Sequence, residues 1–437
     1  MTVTRLSDSD PDFDAGMERL LRLDAENRDK VRDVVKGIIA AVRDQGDAAL
    51  VSLSNRLDGL SVTDAAGLEV PRERLARAAE GLDPLVKEAL ESAIDRVREY
   101  HEAQKRALGD QVDWSYRDAD GNELGQRVRG MDRVGVYVPG GKASYPSSVI
   151  MTTIPARVAE VGEIILTVPA PGGEISDVLL AAAYLCGVDR LFTLGGAQAV
   201  AALALGTDTV PRVDKIVGPG NIYVATAKEM VFGDVGIDMI AGPSEVVIVA
   251  DASTPVEWLV MDMFAQAEHD EMAQAILISE DSALLDAVEA EIAQRLPEMQ
   301  RSGVIGASLA QRGALIQVSS LAAATALVNR IAPEHLELAV GDPDPLLAEV
   351  RHAGAIFVGS HTVEAVGDYC AGPSHVLPTS GTARFASPLG VYDFQVRSSI
   401  VRCSPAGAVR LGRNAAILAT EEGLEAHARS ASLRASG

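Results

Sequence analysis

Glu334 and His335 form a carboxylate and imidazole pair in the run Ile331–Leu338, placed directly after Pro333. A histidine is the side chain most easily poised to exchange a proton near neutral pH, and a neighbouring glutamate can orient it or handle a second proton. The segment Gln266-Ala-Glu-His269 sets an amide and an imidazole at i and i+3, on one face of a helix that ends there. Asp368 and His375 are expected on a loop stiffened by Gly372 and Pro373, and His427 follows Glu422 by five residues near the end of the chain. Gln266, His269, Asp368 and His427 together would make a nitrogen and oxygen metal site, and without cysteine a borderline divalent ion such as zinc suits it best. No spacing rule joins these four, and taken alone each histidine reads more readily as a satisfied surface or core residue than as a ligand. His101, His352 and His361 look incidental.

Three glycine-rich segments invite a nucleotide. Gly218-Pro-Gly-Asn221 and Gly195-Gly-Ala-Gln198 each follow an apolar strand and precede a helix, where backbone amides can approach a phosphate. Ala241-Gly-Pro-Ser-Glu245 lies between two α/β series. None carries the dinucleotide fingerprint G-x-G-x-x-G, so plain turn glycines remain an equal reading.

These residues need elements to hold them. Pro333 cannot continue the helix that runs from about Leu321, so Glu334 and His335 are expected on a connection, before a strand that alternates through Leu336, Leu338 and Val340. Apolar residues recur at helical spacing from Pro11 to about Arg43, with a break at Asp24 to Asn27, and again from Arg72 to Leu108, ending near Gly109. Strands are expected at 134–138, 164–168, 191–194 and 216–217, separated by helices at 147–159, 175–186, 197–205 and 222–232. A second series puts strands at 246–250, 275–278, 315–318 and 355–358, with helices at 256–269, 284–296 and 320–332. Such alternation implies parallel βαβ units with ligand loops at the carboxyl ends of the strands. An extended stretch at 391–401 and one final helix from Ala406 into the Arg429 region close the chain.

The 437 residues suggest two to three domains with a substantial core. A formal net charge of −23 argues against nucleic-acid partners and anionic membranes. The 3 cysteines, Cys186, Cys370 and Cys403, have no metal-type spacing and point to a reducing compartment. With no apolar run at the N-terminus for export, the expected location is the cytoplasm.

Taken in order, 134–141, 195–198, 217–224, 237–245, Gln266-Ala-Glu-His269, Ala332-Pro-Glu-His-Leu336, 366–379 and the Glu422/His427 tail resemble the histidinol dehydrogenase family over nearly the whole chain. That resemblance implies oxidation of L-histidinol through histidinal to L-histidine, the last step of histidine biosynthesis, with zinc and two molecules of NAD. It implies zinc ligands at Gln266, His269, Asp368 and His427, with acid-base roles for Glu334 and His335. Substrate contacts would fall on Ser244, His335, His375 and Glu422 together with the zinc-site residues, and NAD contacts on Tyr137, Gln198 and Asn221. His335 would take the alcohol proton and Glu334 would activate water for the second half-reaction.

The implied fold is α/β, with two doubly wound Rossmann-like lobes, an N-terminal helical arm and a C-terminal tail that completes the neighbouring subunit's site in a homodimer. The boundaries expected are 1–23 for the arm, 24–133 with 244–388 for the lobe of the zinc and catalytic residues, 134–243 for the NAD lobe and 389–437 for the tail. One departure is Ile240, where members of the family often carry Pro. The nearest rival is a relative that oxidises another small primary alcohol, such as a sulfonated diol. A solute-capturing two-lobed protein gives no reason for the Glu334/His335 pair.

Overall fold

The structure, a computed structural model, describes residues 3–22, 26–107, 113–140 and 144–435. The first half of the break expected at Asp24 to Asn27, the helix end near Gly109 and Gly141 of the glycine turn lie outside the described residues. Two six-stranded sheets carry the chain. The first runs in the order Glu69–Val70, Arg190–Phe192, Glu163–Thr167, Arg133–Tyr137, Lys215–Val217, Gly236–Ile237, parallel except for its first pair. The second runs Thr4–Ser7, Ala314–Gln317, Gln274–Ser279, Glu245–Ala250, His335–Ala339, Ala355–Val358 and is parallel throughout. Runs such as Val246–Ala250 and Ala275–Ile278 are apolar without alternation because helices cover both faces of each sheet.

The expected half-buried alternation after Glu334 does not hold for the same reason. His335–Ala339 is a central strand with all five residues buried, His335 pairing with Val246 on one side and Ala355 on the other. The final helix is also two helices, Pro405–Glu421 and Glu425–Ala435, packed on each other. Gly423, at φ 73°, makes the turn between them, a conformation that costs glycine no steric strain. The extended stretch begins later than expected: Val391–Phe394 is a 3-10 turn, and Gln395–Arg402 forms a third sheet with Glu123–Gly130 and Trp114–Arg117.

The packing of the N-terminal third departs from the lobe to which residues 24–133 were expected to belong. Val31, Val35, Ile38, Ile39 and Val42 of helix Glu26–Gln45 are buried against Gly196–Leu205 and Ile222–Val231, on one face of the first sheet. Arg72–Glu80 and Pro84–Ala107 cover its other face through Asp177–Leu185 and Pro146–Val158. Meanwhile Thr4–Ser7 crosses to pair with Ala314–Gln317 in the second sheet.

Candidate active site at the meeting of two sheet edges

Helix Leu321–Ile331 is opened by Ser320, whose hydroxyl accepts the Ala323 N–H, and is closed by Ala332 in the left-handed conformation, φ 54°. Pro333 then forces the chain out, so that Glu334 and His335 enter the amino end of the strand at only 6 % and 4 % exposure. The adjacent strand begins at Glu245, one residue before Val246, the register partner of His335. The Glu245 N–H donates to Glu334 Oε2 at 2.9 Å, and the Glu334 N–H donates to Glu245 Oε1 at 3.3 Å.

His335 Nδ1 lies 3.1 Å from the Glu245 carbonyl oxygen, an acceptor, so Nδ1 carries the proton and Nε2 is left as the base. Nε2 is buried, has no hydrogen-bond partner and lies 3.8 Å from Asp368 Oδ1. Burial, against the opposing pull of Asp368, pushes His335 down to about 4, which leaves it neutral and able to accept a proton at pH 7. Burial, with help from the Glu245 and Asp368 carboxylates, holds Glu334 well above the usual carboxylate range.

Asp368 sits on a short helix, Glu364–Tyr369, rather than on the loop expected from its glycine and proline neighbours. His375 Nδ1 lies 3.0 Å from the Asp368 carbonyl oxygen, and its Nε2 is 3.4 Å from Ser148 Oγ, on helix Pro146–Val158 of the first sheet. Gln266 ends helix Val256–Ala267 and His269 lies just beyond it; Gln266 Nε2 and His269 Nδ1 approach to 3.4 Å. His269 is close enough to His335 and His375 for its charge to lower both. Ser244 precedes this edge, its carbonyl accepting the Gln274 N–H at 2.9 Å.

The unsatisfied polar atoms of this cluster suit a metal ion. Gln266 Oε1, His335 Nε2 and Glu364 Oε2 are buried without a hydrogen-bond partner, whereas buried polar groups normally have one. Ligand atoms of His335, Glu364 and Asp368 lie within 4.8 Å of one another, a triad that shares only Asp368 with the four ligands the resemblance implies. The donors are nitrogen and oxygen only, as zinc accepts. Glu364 was not anticipated from sequence. Its Oε1 stands 3.8 Å from His335 Nδ1, and burial among carboxylates holds it well above the usual range. Glu422, in the turn between the C-terminal helices, and His427, on the last of them, are by contrast exposed and are not part of the cluster.

The residues expected to meet NAD line the carboxyl edge of the first sheet. Tyr137 is buried, its hydroxyl accepts the Gly196 N–H at 3.2 Å, and burial pushes it up to about 12. Gln198 is buried in the first turn of Gly196–Leu205, a helix whose N-cap residue, Gly195, has no side chain to cap it. Asn221 is exposed, and its Oδ1 caps helix Ile222–Val231 by accepting the Tyr223 and Val224 N–H groups at 3.0 and 3.2 Å. Gly218, at φ 112°, has no room for a side chain, since a Cβ would lie 2.0 Å from the Tyr137 carbonyl oxygen. Its N–H donates to Asp238 at 2.7 Å and its carbonyl accepts from Lys228 at 3.0 Å, and these two side chains form a buried ion pair.

Ligand loops were expected at carboxyl ends throughout. In the first sheet the residues expected to meet NAD do lie at carboxyl ends, but Glu245, Glu334 and His335 stand at the amino ends of their strands, with Gln266 in the last turn of a helix and His269 on the loop that leads from it into a strand. The carboxyl edge of one sheet thus meets the amino edge of the other, joined where His375 reaches Ser148 and where the Gly242 N–H donates to Thr379 Oγ1 at 2.6 Å.

The family model for histidinol dehydrogenase matches residues 21–435. The chain is 60 % identical over 432 residues to the histidinol dehydrogenase of Pseudomonas aeruginosa, covering 99 % of this chain and 97 % of that one. It is 58 % identical over 432 residues to that of Methylococcus capsulatus, covering 99 % and 98 %. The crystal structure of histidinol dehydrogenase from Elizabethkingia anophelis superposes with a TM-score of 0.90 at 28 % identity, over 99 % of this chain and 98 % of that one. With the family model spanning nearly the full length and relatives this similar from end to end, the chain belongs to the histidinol dehydrogenase family.

Proposed function

We propose that the protein carries out the NAD-linked, zinc-dependent four-electron oxidation of L-histidinol through histidinal to L-histidine, the last step of histidine biosynthesis. The observation that carries this reading is a buried imidazole whose Nδ1 is committed to a backbone carbonyl and whose Nε2 is free, beside a buried carboxyl at Glu334. When bound, zinc on Gln266, His269 and Asp368 would supply a template for the substrate's nitrogens, and NAD would supply the electron acceptor.

The rest falls to side chains. His335 Nε2 takes the alcohol proton in the first oxidation. Glu334 takes a proton from the water that adds to the aldehyde, and His335 acts again as base in the second oxidation. Ser244, His375 and Glu422 hold the substrate's polar ends, while Tyr137, Gln198 and Asn221 hold the cofactor. Retaining the aldehyde in a buried site protects it from side reactions. Nothing in the family match favours the sulfonated diol.

The fourth ligand, His427, and the substrate contact Glu422 would come from a second copy in a homodimer. Their exposure supports this, as do the exposed apolar residues around them: Val401, Ile417, Leu418 and Leu433 are 63–75 % exposed. The three cysteines are unpaired, as befits the cytoplasm. Among the described residues no helix is long and apolar enough to cross a membrane. Stoichiometry tests the reaction. Limiting histidinol with excess NAD should yield two NADH per molecule, and a yield of one or none excludes it.

A further inference from the structure

Asp58 is a carboxylate that the folded chain does little to accommodate. It closes helix Asp47–Leu57, where the partial negative charge of the helix end disfavours an acid. Among the described residues no Lys, Arg or His is paired with it; its side-chain contact is Gln198, whose Nε2 lies 3.4 Å from Asp58 Oδ2. Burial pushes its carboxyl up, and the Gln198 hydrogen bond only partly opposes that. The position is nevertheless fixed: the Asp58 N–H donates to Ser54 O at 3.0 Å, and its carbonyl accepts the Gly172 N–H at 2.9 Å from the loop after strand Glu163–Thr167.

The carboxylate therefore stands at the carboxyl edge of the first sheet, beside the start of helix Gly196–Leu205, where Gly195 offers no capping side chain and the Tyr137 hydroxyl takes the Gly196 N–H. A Cβ on Gly195 would lie 2.6 Å from Pro169 Cβ and 3.3 Å from Asp58 Oδ1. Glycine here thus lets the helix start approach both Pro169 and the carboxylate closely. An acceptor-only group next to a helix N-terminus suits a ligand segment that carries hydroxyls adjoining a phosphate, which is the chemistry of a ribose-phosphate.

Resting on the NAD reading above, we propose that Asp58 accepts the 2′- and 3′-hydroxyls of the adenosine ribose of NAD and selects against a dinucleotide phosphorylated at the 2′ position. The adenosine end is assigned by the two faces of the sheet. His375 meets Ser148 on a helix of one face, so the nicotinamide, which must reach the substrate at His335, lies toward that side. Asp58 and Gln198 belong to helices packed on the opposite face. A carboxylate bonding a ribose diol is the usual means by which NAD-binding α/β folds exclude the 2′-phosphate. Here it comes from a helix that precedes the sheet, which is why no fingerprint spacing announces it.

Calorimetric titration of the wild-type protein and of Asp58→Asn with NADH and with NADPH, without histidinol, tests this directly. Losing a charged hydrogen-bond acceptor should weaken NADH binding by roughly 10-fold to 100-fold. NADPH binding should hold or improve as the repulsion is removed, so the preference narrows. The unfolding midpoint should stay level or rise, because the native chain loses a poorly paired charge. Unchanged NADH affinity in Asp58→Asn overturns the proposal. Gln198→Ala separates the causes: if it weakens NADH while Asp58→Asn does not, the cofactor edge stands and Asp58 has no part in it. If neither variant changes binding, the placement of NAD on this edge falls as well.

Discussion

Replacing Glu337 by Gln should stabilise the protein increasingly as pH rises. Glu337 lies within the strand His335–Ala339 at 2 % exposure, where it accepts the Glu364 N–H at 2.8 Å and stands beside Asp262. Burial, reinforced by Asp262, pushes it up to about 8 from the ordinary 4.5. Between those values the folded chain holds a proton that the unfolded chain has released. The group's contribution to stability is therefore complete below pH 4.5 and is lost as pH climbs towards 8, at about 1.4 kcal/mol per pH unit. From pH 5 to 8 this gives a ceiling of roughly 4 kcal/mol.

Asp262, itself pushed up to about 6 by burial, competes for the same proton, so about half that ceiling, ~2 kcal/mol, is expected. Glutamine keeps an oxygen for the Glu364 N–H, offers Asp262 a donor and carries no charge. The stability gap between Glu337→Gln and wild type should thus widen by ~2 kcal/mol from pH 5 to pH 8. Urea unfolding at several pH values measures it, with Trp258, on the same helix as Asp262, as the fluorescent reporter. A gap that stays constant or narrows refutes the assignment of a shared, folding-linked proton to this pair.

The acid-base pair should separate by step: in single-turnover assays Glu334→Gln should keep most of the alcohol oxidation yet lose about 100-fold or more in aldehyde oxidation, whereas His335→Asn should impair both. Equal losses in Glu334→Gln with histidinol and with histidinal would undo that division. His427→Ala and His269→Ala chains, each inactive alone, should recover up to about half of wild-type activity per heterodimer after subunit exchange, because one of the two sites is then intact. No recovery in a mixture shown to have exchanged would place His427 in its own chain's site.

What the sequence revealed depended on how local the cause was. The parallel α/β architecture was legible because unbroken apolar runs such as Val246–Ala250 can only belong to strands covered on both faces. Glu334 and His335 were legible because Pro333 ends a helix wherever it folds, and Gln266 with His269 because three residues apart they still meet across the turn that closes the helix, where the His269 N–H donates to the Gln266 carbonyl at 3.3 Å. Asp368 was expected on the wrong element: Gly372 and Pro373 suggested a loop, whereas the six residues from Glu364 close a helical turn that brings its carbonyl to His375.

Glu337 and Glu364 were invisible for a different reason. In an alternating strand, a charge between Leu336 and Leu338 reads as a residue facing water. Only the covering helix that carries Asp262, and the Glu364 amide from another connection, make a buried carboxyl tolerable there. The choice of sheet edge was equally beyond local pattern. Alternation of strand and helix gives each sheet its ligand edge by rule, but it says nothing about which edge of a second sheet will face it. That is decided by the contacts Ser148–His375 and Gly242–Thr379, between residues 227 and 137 positions apart. Such pairings are legible only after the lobes are docked. His427 extends the same logic by one step: it is exposed on the last helix of the described chain, away from the cluster, and the homodimer proposed above would bring it to the site of another copy.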